Sequence, residues 1–91
     1  MIDRDMTEWA KAGKNPHYRP RKLSEKLGYL TEECGEVLAA VGKTQGWGPE
    51  STNPDPGGGE TNCEWVLREL DDLELAIGIA RRALLEVKES K

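Results

Sequence analysis

Apolar residues recur at intervals of three and four along two long stretches of this chain. The first carries Leu23, Leu27, Leu30, Cys34, Val37, Leu38 and Val41, and the second Val66, Leu67, Leu70, Leu73, Ile77, Ala80 and Leu84. Such spacing lays one apolar stripe along a helix. It predicts a helix from near Arg21 to Gln45, stopped by Gly46, and another from Thr61 to the neighbourhood of Lys88. Thr61 and Glu64 stand in capping-box register at the start of the latter. The former would be roughly 35 Å long and depends on partners along its whole length.

A shorter helix is expected over Arg4 to Ala12, where Asp5 and Glu8 have capping-box-like spacing and Gly13 provides a stop. Two prolines make Lys14 to Pro20 an extended loop. From Gly46 to Thr61 the chain holds Gly48-Pro49, Asn53-Pro54, Asp55-Pro56 and Gly57-Gly58-Gly59, a loop long for a compact domain. No internal repeat or strand signal is present. The expectation is one all-α domain over residues 1–91, with two long antiparallel helices, a short N-terminal helix and a Gly/Pro-rich loop at about 46–60.

A second stripe runs along the first long helix: Ser24, Gly28, Thr31, Gly35, Ala39 and Gly42. Each interior glycine costs about 1 kcal/mol relative to alanine. A solvated face is one reading. Close approach of another helix, or of a ligand, explains the glycines better, because small residues let axes come near. With the leucine seam facing the other long helix, the small stripe is left for a second protomer, and a homo-oligomer is expected.

Composition sharpens this. Of 91 residues 36% are hydrophobic and 33% charged, low apolar content for a self-sufficient small domain. Two cysteines and a charged Met1–Asp5 lead without an apolar core point away from a disulfide framework and a secretory signal. No apolar run approaches the ~20 residues that span a bilayer. A cytoplasmic protein with reduced thiols and no membrane partner is expected. The net charge of −4 disfavours nucleic acid as a partner. It leaves room for a phosphate-bearing small molecule, because a metal ion can supply local positive charge.

The chemistry lies in two acidic clusters, Glu32-Glu33-Cys34-Gly35-Glu36 and Glu69-Leu70-Asp71-Asp72. Residues three apart on a helix have Cβ atoms about 5–6 Å apart, so Glu33 pairs with Glu36 and Glu69 with Asp72. Both pairs are read as flanking the apolar seams. If the helices pack side by side, four carboxylates converge and must take up protons or bind cations. An all-oxygen donor set suits Mg²⁺, with Mn²⁺ as the alternative.

Glu-Glu-x-x-Glu at 32–36 followed by Glu-x-x-Asp at 69–72 resembles the signature of the MazG-like, all-α nucleoside triphosphate pyrophosphohydrolases. The resemblance covers roughly Leu23 to Leu85 and includes the wording from Lys26-Leu27 to Glu36-Val37-Leu38-Ala39-Ala40. The Gly/Pro-rich loop makes the spacer between the motifs longer than is usual for that family. The resemblance implies a homodimer or homotetramer around a four-helix core, in which Mg²⁺ holds the nucleotide phosphates. Carried across, Glu33, Glu36, Glu69 and Asp72 are the metal ligands, and Glu32 is an outer carboxylate that orients water. The implied function is metal-dependent hydrolysis of a nucleoside triphosphate to monophosphate and pyrophosphate, with Glu32 and Glu33 as the catalytic carboxylates. The rival is a non-enzymatic helical oligomer that serves as an interaction or regulatory module. No residue selects the base.

Other residues carry less. Lys26 and Lys43 lie two turns to either side of the first acidic cluster and either contact phosphate or pair with carboxylates. Trp47, between Gly46 and Gly48 in the loop, either stacks on a base or packs against a helix end. Arg19, Arg21 and Lys22 form a basic cluster that either meets phosphate or faces water. Cys34 is assigned to the core. His17, Cys34 and Cys63 lack the spacing of a zinc site.

Overall fold

A computed structural model describes residues 3–52 and 59–90. The turn signals Asn53-Pro54, Asp55-Pro56 and Gly57-Gly58 lie outside the described residues. Among the described residues there are three α-helices, α1 (Arg4–Lys11), α2 (Leu23–Trp47) and α3 (Asn62–Glu89), with a 3₁₀ turn at Pro16–Tyr18 between the first two. The only β pairing among the described residues is an isolated bridge between Thr52 and Thr61. The class is all-α, as the periodicity predicts. No helix among the described residues is long and apolar enough to cross a membrane.

The helix ends follow from local chemistry. Thr61 Oγ1 accepts from the Glu64 amide at 3.1 Å, and Glu64 Oε1 accepts from the Thr61 amide at 3.0 Å, which closes the expected capping box. Helix α1 is capped differently from expectation. Asp3, not Asp5, takes the cap position and accepts from the Asp5 amide at 2.9 Å. Asp5 and Glu8 turn inward and receive Arg82 of α3, through Nε at 2.7 Å and Nη2 at 2.8 Å. At the other end Gly13 adopts φ +72°, as a glycine stop should. Its amide donates to Ala10 O and that of Lys14 to Trp9 O, the two bonds of a Schellman motif.

Helix α2 runs through Gly46 and stops at Gly48, so Trp47 is its last residue and not part of the loop. Gly48 is the position that needs glycine, with φ +91° and its amide bonded to Thr44 O. Gly46 stays helical.

Helices α2 and α3 pack along their length and antiparallel. The Asn62 side chain at the start of α3 donates to Gly48 O at the end of α2, whereas Glu33, further back on α2, meets Asp72, further on along α3. The face that α2 turns to α3 shares only Leu30 and Val37 with the leucine seam as read along the sequence. It runs Lys26, Leu30, Glu33, Val37, Ala40 and Thr44, all buried or half-buried. Its counterpart is Asn62, Val66, Glu69, Leu73, Ala76, Ala80 and Ala83. Both keep the alternating three–four interval of a packed helix pair. Alanines dominate the centre, with Ala40 and Ala76 fully buried beside Ile79, so the axes can approach closely. The larger side chains are pushed to the flanks: Leu38 is 72% exposed and Leu67 58%. Leu23, Leu27, Leu70, Ile77 and Leu84 are exposed as well. Cys34, assigned to the core by the leucine seam, is exposed.

Candidate carboxylate metal centre

Because the packed seam runs through Glu33 and Glu69, these acids do not flank the interface as the leucine pattern suggested. They are inside it, 5% and 4% exposed. Their partners Glu36 and Asp72, three residues on, stand at the rim, exposed and half-buried. Glu33, Glu69 and Asp72 each bring a carboxylate oxygen within 4.8 Å of the other two, and Glu32, Glu33 and Glu36 do the same. Glu33 belongs to both groups and joins them. The fold therefore gathers all four expected ligands, with Glu32 beside them.

The electrostatics are those of a site short of positive charge. Burial, then Glu36, Asp72 and Glu69, push the Glu33 carboxyl up to about 7. Burial and the facing Glu36 carboxyl, with a smaller contribution from Asp72, also hold Glu69 above the ordinary carboxylate range, against the opposing pull of Arg68. One oxygen on each, Glu33 Oε2 and Glu69 Oε2, is buried with no hydrogen-bond partner among the described residues. Buried polar atoms are ordinarily satisfied, and unpaired ones call for a ligand, a proton or an ion.

Three residues at the centre escape the motif reading. Tyr29 lies one turn before Glu33, with its ring edge-on to Trp9 at 5.4 Å. Its hydroxyl is buried without a partner among the described residues. Burial first, then Glu33, Asp72, Glu32 and Glu36, raise its pKa well above the usual phenol range, so it remains a donor. Arg68 Nη1 donates to Glu69 Oε1 at 3.0 Å while its other nitrogens hold Glu60. Lys14 Nζ lies 3.3 Å from Asp72 Oδ1. The four-residue step from Tyr29 to Glu33 and the adjacency of Arg68 to Glu69 were visible in the sequence; Lys14 arrives only through the tertiary fold.

The other candidates are spread out. Lys26 reaches Asp5 at 3.4 Å and belongs to the α1 anchor, pairing with a carboxylate outside the acidic clusters. Lys43 is exposed, two turns beyond Glu36. Trp47 is 74% exposed at the helix end, roughly 16 Å along the axis from Glu36. Arg19 is held by Asp3 at 3.2 Å. Arg19 and Arg21 nevertheless line a hollow of about 480 Å³, with Tyr18 and Gly28, whose far wall is Tyr29 and Glu32. Lys22 is exposed at the cap of α2. A second hollow of about 510 Å³ opens beside Asp72, between Ala12, Leu67 and Arg68.

The donor set is all oxygen and spans two helices, which fits a hard divalent cation. Comparison with protein-family models, curated proteins and solved structures found no match.

Proposed function

We propose that the chain is a divalent-cation-dependent nucleoside triphosphate pyrophosphohydrolase, releasing nucleoside monophosphate and pyrophosphate. The observation that carries the reading is the pair of carboxylate groups sharing Glu33, with two buried carboxylate oxygens left unpartnered. The resemblance of Glu32–Glu36 and Glu69–Asp72 to the MazG-like motif supports it and supplies the choice of bond. Glu33, Glu36, Glu69 and Asp72 would hold Mg²⁺, or Mn²⁺ in its place. When bound, the ion neutralises phosphate charge and lowers the pKa of attacking water.

The chain's own residues divide the remaining work. Glu32 is exposed and close to Glu33 and Glu36, placed to orient water and accept its proton on a carboxylate oxygen. Tyr29, one turn before Glu33, keeps its phenolic proton, and its buried hydroxyl is a donor available within the carboxylate centre. The hollow lined by Arg19, Arg21 and Gly28 offers room for the nucleotide beside the carboxylates.

The assembled form belongs to the same proposal. Exposed Leu38 and Leu67 and the open stripe of Gly28, Gly35 and Gly42, with nothing described within 4 Å of an added Cβ, are surfaces a second copy would cover. A homodimer or homotetramer with a four-helix core follows. Those surfaces serve an interaction module equally well. The carboxylate centre is what favours the enzyme.

The test is a screen of common and modified nucleoside triphosphates with Mg²⁺ and with Mn²⁺. Release of pyrophosphate, and not orthophosphate, from at least one is expected. No hydrolysis of any at high protein concentration would exclude the enzyme.

A further inference from the structure

Lys14 is held from four sides. The Schellman turn after α1 fixes its backbone through the Lys14 amide and Trp9 O, at 3.3 Å. The indole Nε1 of Trp9 donates to Asn15 O at 2.7 Å and pins the next residue of the chain. The ammonium lies 5.7 Å from the centre of the Trp9 ring, within cation–π range. It ends 3.3 Å from Asp72, whose carboxylate is grouped with those of Glu33 and Glu69. A solvent-exposed lysine–aspartate pair is ordinarily of little consequence. Here the backbone is fixed by the turn, and the charge acts in a site short of cations.

We propose that Lys14 is a two-position cation: in the free protein its ammonium neutralises Asp72 in competition with the divalent ion, and in the substrate complex it turns to the phosphate chain. The inference rests on the pyrophosphohydrolase reading and adds to it a phosphate-binding residue outside both acidic motifs. An ammonium and a divalent cation cannot both be the close partner of the same oxygen without repelling each other. When the ion takes Asp72, Lys14 loses its anion. Its side chain is 27% exposed and free to swing on its four-carbon stem. The phosphates brought by the ion are the new anion within reach.

The consequence is an effect that changes sign, which a merely structural lysine would not show. Mn²⁺ is titrated calorimetrically into the full chain and into Lys14→Met, Lys14→Gln and Lys14→Arg, with Lys11→Met as a control on the exposed side of α1. Inorganic pyrophosphate is then titrated at saturating Mg²⁺. Circular dichroism verifies that each variant keeps its helices. Lys14→Met and Lys14→Gln should bind Mn²⁺ about fivefold tighter or more, and bind pyrophosphate several-fold more weakly. Lys14→Arg and Lys11→Met should track the parent in both. Binding of Mn²⁺ by the parent with equal affinity in Lys14→Met and Lys14→Gln overturns the inference and leaves the metal reading standing. Unchanged pyrophosphate affinity in those two variants also overturns it. Failure of the parent and every variant to bind Mn²⁺ overturns the metal reading, and this inference with it.

Discussion

Arg82 donates to Asp5 at 2.7 Å, joining the last third of α3 to the first turn of α1. Glu8 takes the other arm of the same guanidinium at 2.8 Å, and Lys26 approaches the second Asp5 oxygen at 3.4 Å. Asp5 is buried, and α1 makes few other contacts with α3. The pair therefore decides where α1 sits, and α1 decides where Lys14 and Trp9 sit.

Asp5→Ala should lower the unfolding free energy by about 1–3 kcal/mol, because it leaves two cations facing a void and removes charged hydrogen bonds. Urea denaturation followed by circular dichroism measures the loss. Lys11→Met, on the exposed side of the same helix, should shift stability little.

Removing charge at the centre separates ligand from scaffold. Glu36→Gln should abolish divalent binding and turnover while leaving the metal-free protein as stable or slightly more so, since repulsion at the rim is relieved. Asp72→Asn should abolish both activities too, but without the gain in stability, because it strips Lys14 of its partner. Glu64→Gln, confined to the capping box, should keep activity largely intact. Calorimetry and thermal melting distinguish these outcomes. A Glu36→Gln protein that binds Mn²⁺ like the parent would remove Glu36 from the ligand set.

Glu33 sets the pH response of the metal-free protein. Its carboxyl is raised from 4.5 to about 7 in the folded chain. The folded state therefore binds more protons than the unfolded one between those values, and stability falls as pH rises. The contribution is full below pH about 4.5 and is lost as pH passes through about 7. Melting temperatures across that window should decline for the parent, and Glu33→Gln should flatten the part of the slope due to this residue. Stabilisation by Mg²⁺ should grow over the same range, because the ion binds the ionised form.

The glycine stripe predicts an assembly effect. Gly35 has open space around it in the single chain, so Gly35→Leu meets no obstacle within one protomer. If a partner helix lies there, the added bulk should cost about 1–3 kcal/mol by overpacking. Light scattering should then show a smaller particle for Gly35→Leu than for the parent, whereas Glu89→Leu near the C-terminus should not change it. A monomeric parent at micromolar concentration would mean that the stripe faces water.

Helix number, type and approximate bounds were legible in the sequence because capping residues and glycine stops act within a few positions. The seam was misread for a physical reason. Leucines advertise burial more loudly than alanines, yet a close helix pair wants alanines at its centre and glutamates only where they have a task. Two uninterrupted three–four series, through Glu33 on α2 and Glu69 on α3, overlap the leucine series at Leu30, Val37, Val66, Leu73 and Ala80, and their two glutamates were read as flanking the seams instead of lying in them. The gathering of the carboxylates was legible from their spacing all the same, since spacing is independent of burial. Lys14 was not legible. It reaches Asp72 only because Gly13 turns the chain and Arg82 docks α1.

Between α2 and α3 the chain is drawn into a neck. Thr52 pairs with Thr61, the Asn62 amide donates to Ser51 O at 2.8 Å, the Cys63 amide donates to Pro49 O at 2.9 Å, and the Asn62 side chain closes on Gly48. Glu69 lies two helical turns further along, roughly 10 Å by the rise of the helix. A hinge pin of this kind isolates register from loop length. Segments of different size spliced between Thr52 and Gly59 should therefore leave α3 in place against α2, which would make that stretch a graft point for new recognition elements or reporter tags.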